Sequence, residues 1–258
     1  MSGDGGQTPA DRRYVETFGS PDDQAVILIP GAGFTRRVWR PHARRLAEEG
    51  YYAVAVDKPA HGRNPEEEFH METAVEQVAT IAQHLNEPVV VGHSAGGYVG
   101  LRAGNAVPAV DRVLSISGGY RFNEFPKGYL LSGLSGAVQL AVMPLLARIP
   151  VVSERLEAQT LDQLADEQYA TDAEGEHDGG APAVVRALLF SDTWPSELSV
   201  PTLILYGEDE PFLDMPRRLA ARSDAAEFRT FCGGHQTPLT DPETVMPVVR
   251  AFIAEGED

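Results

Sequence analysis

Six short strand candidates, several of them continuous Val, Ile and Leu runs, are the strongest constraint on how this 258-residue chain can fold. They are Ala25 to Pro30 (AVILIP), Tyr52 to Val56 (YAVAV), Pro88 to Gly92 (PVVVG), Arg112 to Ser117 (RVLSIS), Pro201 to Tyr206 (PTLILY) and Glu227 to Phe231. A strand with one wet face alternates polar and apolar side chains. A run that stays apolar is buried on both faces, as in a parallel sheet covered by helices. Helical periodicity lies between the runs: Met71, Val75, Val78, Ala82 and Leu85 follow four- and three-residue steps and form one apolar stripe. This alternation predicts an α/β fold. The last helix is expected to begin near Asp241-Pro242, with Asp as N-cap and Pro in the first helical position.

The alternation breaks once. After Ser117 no buried run follows until Pro201. The intervening sequence holds the apolar stretch Gly128 to Pro150, two further helix-like runs and the loop TDAEGEHDGG. Residues 1–118 and 196–258 are therefore expected to form the α/β core, and 119–195 a helical cap inserted between two of its strands. Charge narrows the function classes. With 38 acidic against 21 basic residues the net charge is −17, and such a surface repels phosphate backbones and anionic lipid. No run approaches 18 apolar residues, so no membrane span is expected. The opening MSGDGGQTPADRR lacks a signal peptide's apolar centre, and the expected location is cytoplasmic. Cys232, the single cysteine, excludes an intrachain disulfide and a multi-cysteine metal site, and reads as a small buried thiol. Only Lys58 and Lys127 are lysines. An acid-rich, lysine-poor chain fits either salt adaptation or an arginine codon preference. Oligomeric state is not legible in the sequence.

The chemistry centres on Gly92-His93-Ser94-Ala95-Gly96-Gly97, between the run PVVVG and a helical stretch. This is G-x-S-x-G on a strand–turn–helix, the context in which the pattern carries a strained, projecting serine. Side chains at Gly92 or Gly96 would collide with the neighbouring helix and strand. The start of the following helix supplies a positive dipole and a free N–H where an oxyanion would form. A serine hydroxyl needs a base, and the base an orienting carboxylate. Both follow in chain order: the acidic turn Gly207-Glu208-Asp209-Glu210-Pro211, then Cys232-Gly233-Gly234-His235. His93 and His61 read as packing or orienting residues.

Together IPGAGF, DKPAHGRN, GHSAGG, GEDEP and GGHQTPL resemble the α/β-hydrolase-fold serine hydrolases of the single-cap esterase and lipase type, from Ala25 to the last helix. The resemblance implies a mostly parallel central sheet flanked by helices, with Ser94 as nucleophile and His235 as base. It implies an oxyanion hole made by the backbone N–H groups of Ala32 and Ala95. In this family the acid generally stands three residues after the glycine that ends its strand, which is Glu210. Asp209 is the fallback. The family usually has His-Gly where this chain has Pro30-Gly31, but the donor is the next residue's N–H. Phe34, Trp194 and Phe212 are the expected apolar walls of the substrate pocket. The implied reaction is hydrolysis of a small-molecule carboxylic ester through an acyl-enzyme, needing no metal or organic cofactor. Perhydrolysis, C–C hydrolysis or cyanohydrin cleavage on the same triad stay open, as does a non-hydrolytic ligand receptor.

Overall fold

A computed structural model describes residues 8–9, 12–119, 177–178, 184, 187–188, 198–210 and 213–255. In chain order its elements are β1 (Val15–Phe18), β2 (Ala25–Ile29), α1 (Arg40–Glu48), β3 (Tyr52–Val56), β4 (His61–Gly62), α2 (Met71–Ala82), β5 (Val89–His93), α3 (Ala95–Ala106) and β6 (Arg112–Ile116). They continue with β7 (His177–Asp178), β8 (Thr202–Gly207), α4 (Asp214–Ala220), β9 (Ala226–Phe231), α5 (Thr237–Thr240) and α6 (Met246–Ala254). Seven strands form one sheet in the order β1-β3-β2-β5-β6-β8-β9. All neighbours pair in parallel except β1, which runs antiparallel along β3.

Two-residue periodicity divides the core. Along β2, Ile27 and Ile29 join Val78 and Ile81 of α2, Val99 and Leu101 of α3 and Leu219 of α4 in one buried cluster. Val26 and Leu28 face the other way, onto Ala43 and Leu46 of α1 and Val249 and Phe252 of α6. Both faces of the sheet are thus covered, which is why the runs are continuous in the sequence. Topology then fixes where a ligand can sit. From β2 the chain steps out to β3, crosses back to β5 and continues to β6, so connections leave in opposite directions at the β2–β5 boundary. The crevice at the carboxyl ends of two such strands is the ligand position of open α/β sheets.

The described residues revise four expectations. β1 carries no continuous apolar run because it is a four-residue edge strand with only Val15 buried. The last helix does not begin at Asp241-Pro242: residues 242–244 form a 3₁₀ turn and α6 begins at Met246. Pro247 explains the break, since it has no N–H to offer a carbonyl one turn back and is tolerated only in a first turn. Within TDAEGEHDGG, His177 and Asp178 pair antiparallel with Gly62 and His61. Cys232 is exposed, because Phe231 before it turns into the core and strand alternation sends the next side chain outward. Most of the expected cap, with Trp194 and Phe212, lies outside the described residues. No described helix is long and apolar enough to cross a membrane.

Candidate active site

β5 delivers Ser94 at the switch crevice. The residue occupies φ 52° and ψ −116°, a backbone conformation costly for a non-glycine residue. Two glycines permit the turn. A Cβ on Gly92 would lie 2.2 Å from the Gly96 carbonyl oxygen, and one on Gly96 only 2.1 Å from that of Ile29 in β2. Parallel pairing sets Ile29 beside Gly92, so the chain leaving β2 passes next to the serine. A Cβ on Gly31 would stand 3.2 Å from that of Ser94.

From there Gly31–Phe34 forms a turn closed by a 3.2 Å bond from the Phe34 N–H to the Gly31 carbonyl. Gly33 takes φ 78° in its third position, where glycine relieves the steric penalty. Ala32 is half-buried in this turn. Neither its backbone N–H nor that of Ala95 donates to any described residue. Phe34 is half-buried and packs toward the α1 and α6 side.

The acid and histidine loops leave β8 and β9. His235 Nδ1 lies 2.9 Å from Glu210 Oε2. The other carboxylate oxygen accepts from the Ser117 hydroxyl at 2.6 Å and from the Gly207 N–H at 2.9 Å. The Glu210 side chain is 3% exposed and that of His235 40%. A carboxylate partner assigns the ring proton to Nδ1 and leaves Nε2 with its lone pair. Asp209 is exposed, and its backbone N–H donates to the Gly233 carbonyl. His93, beside the serine, lies 2.8 Å from the His235 carbonyl through Nε2, a contact spanning 142 positions of sequence. The serine turn and the histidine loop are thereby fastened together.

Two further features position the site, and the contacts they make join residues far apart in the sequence. Ser117 adopts φ 54° just past β6 and reaches a carboxylate 93 positions away. The segment 57–61 after β3 grips the Gly31–Phe34 turn. His61 Nε2 accepts the Gly33 N–H at 3.2 Å while its Nδ1 meets the Pro59 carbonyl at 2.8 Å. Asp57 accepts the N–H of Arg36 at 2.7 Å and its guanidinium besides. A separate groove of about 610 Å³, between Arg12–Tyr14, residues 59–66 and α2, includes none of the candidate site residues.

Burial makes the fold acid-sensitive. It pushes His93 from 6.5 down to about 3, with the neighbouring His235 adding to the effect, and His42 on α1 down to about 4. Above pH 6.5 both rings are neutral folded or unfolded, and neither contributes a pH dependence. Between pH 6.5 and about 4 only the unfolded chain takes up these two protons. Each then removes about 1.4 kcal/mol of stability per pH unit. Urea midpoints are expected to fall steadily from pH 6.5 to 5, and His42→Phe to flatten the decline. An identical slope in that variant would assign the sensitivity elsewhere.

Residues 26–248 match the family model described as the alpha/beta hydrolase family. The proposed carbamate hydrolase RutD of Escherichia coli O7:K1 is 28% identical over 251 residues, covering 86% of this chain and 88% of that protein. Among solved structures, MenH from S. aureus superposes with a TM-score of 0.73 at 17% identity, covering 96% of this chain and all of that one. The enol-lactonase from Burkholderia xenovorans LB400 gives 0.67 at 16% identity, with 93% and 95% covered.

Proposed function

We propose that this chain, which belongs to the alpha/beta hydrolase family, is a serine-dependent hydrolase that cleaves small carboxylic esters through an acyl-enzyme. The observation that carries the reading is the 2.9 Å contact of His235 Nδ1 with Glu210 Oε2, in a loop bonded to the residue next to Ser94.

In this reading Nε2 of His235 takes the Ser94 hydroxyl proton as the oxygen attacks the ester carbonyl. The carbonyl π pair moves to its oxygen, and the N–H groups of Ala32 and Ala95 hold that oxyanion. Collapse breaks the bond to the leaving alcohol, which receives the proton from His235. Water then repeats the sequence on the acyl-enzyme, with His235 as base, releasing the acid and restoring Ser94. Glu210 keeps the ring in the required tautomer and balances the imidazolium charge. The segment 119–195 would cap this site and, with Phe34, Trp194 and Phe212, set the acyl preference. A carbamate and an enol-lactone, the compounds in the names of RutD and the Burkholderia xenovorans protein, both carry an acyl carbonyl, so both bond types belong in the substrate panel.

A fluorophosphonate is expected to label the peptide containing Ser94 stoichiometrically. p-Nitrophenyl acetate should turn over with a burst of p-nitrophenolate. Longer acyl chains and a p-nitrophenyl carbamate rank the substrate class. An unlabelled protein overturns the reading. Labelling without turnover would replace it with a receptor that retains the constellation.

A further inference from the structure

Lys58 is buried to 1% exposure at the end of β3. An ammonium in such a place needs acceptors, since a buried unpaired charge is strongly destabilising. Its Nζ has two, the carbonyls of Gly31 at 2.9 Å and Phe34 at 3.3 Å, the first and last residues of the Ala32 turn. The Gly31 carbonyl belongs to the same planar peptide group as the Ala32 N–H. In a trans peptide the two bonds point in opposite directions and their dipoles add. A cation on the oxygen therefore polarises the N–H on the far side, as in any hydrogen-bonded chain.

We propose that the Lys58 ammonium is a positioning residue for the oxyanion hole, clamping both ends of the Gly31–Phe34 turn and strengthening the Ala32 N–H as a donor. This assignment rests on the serine-hydrolase reading above. A purely structural role would be served by an apolar side chain of similar volume, often at no loss of stability. The titratable groups around Lys58 are Asp57, whose charge is balanced by Arg36, and His93, which burial keeps neutral. Burial pushes Lys58 itself from 10.5 to about 7, against the pull of Asp57. It is thus charged in the folded protein below that pH and loses its proton above it.

Lys58→Met keeps the stem and removes the charge. The expected result is a kcat lower by ~10- to 100-fold, less than the loss on deleting an oxyanion donor outright. KM should be unchanged, fluorophosphonate labelling slowed in parallel, and the melting temperature equal to or above that of the wild type. Wild-type kcat in a folded Lys58→Met overturns the assignment and leaves the serine reading standing. A fall in melting temperature with kcat intact assigns Lys58 to the fold alone. Should the variant not fold, Lys58→Gln, which keeps a donor and removes the charge, takes its place: a lower kcat at constant KM supports the role, and wild-type kcat overturns it. A wild-type protein that does not label at Ser94 sinks the underlying reading instead.

Discussion

Ser94→Ala is expected to lower ester turnover by roughly 10⁶-fold, to what binding and oxyanion donors alone can provide. The loss should come without unfolding. Alanine keeps the Cβ and removes only the hydroxyl, and it meets the same φ of 52° that the serine already tolerates. The melting temperature should therefore match the wild type within the error of a circular-dichroism scan. Fluorophosphonate labelling should vanish with the activity. Turnover near the wild-type level in a folded Ser94→Ala protein would sink the serine mechanism, whatever the geometry around it.

The second large effect separates two adjacent carboxylates. Glu210→Gln is expected to cost roughly 10⁴-fold in kcat, comparable to losing the acid in other serine triads. The amide is nearly isosteric, and its oxygen can still accept from the Ser117 hydroxyl and the Gly207 N–H. Its NH₂ then faces His235 Nδ1 and donates to it. That fixes the proton on Nε2, where the base needs a lone pair. Asp209→Asn, at an exposed position, should stay near wild type. The reverse pattern, with Asp209→Asn crippled and Glu210→Gln active, would make Asp209 the acid.

Much of this architecture was legible because the sheet is covered on both faces. All six strand candidates lie within one residue of an observed strand at either end. Continuous burial leaves a pattern that no neighbour can disguise. β1 left none, since a short edge strand with one buried side chain has no periodicity to detect. The spacing from Gly207 to Glu210 has a physical basis in the turn, whose glutamate side chain folds back onto the Gly207 N–H. That local closure is why a count along the chain could single out a carboxylate. Ser117 and Lys58 are a different case. Their partners lie 93 and 27 positions away, and nothing near either residue in the sequence announces the contact. A serine or lysine at a strand end reads as solvent-facing until the sheet brings its partner across.

The adjacency of β6 and β8 also bears on how such proteins diversify. Val113 and Thr202 are register partners in neighbouring strands, yet the chain between them is about 90 residues long. The entropy of closing a loop grows only with the logarithm of its length. Extending a connection from about 20 to about 90 residues costs only about 1.3 kcal/mol. All seven strands of the main sheet, with Ser117 beside Glu210, lie outside residues 120–197. The loop-closure cost of inserting or deleting residues within 120–197 is therefore small. A lineage can exchange this connection while keeping Ser94, Glu210 and His235 in place, and chimeras joined after Gly119 and before Leu198 should fold.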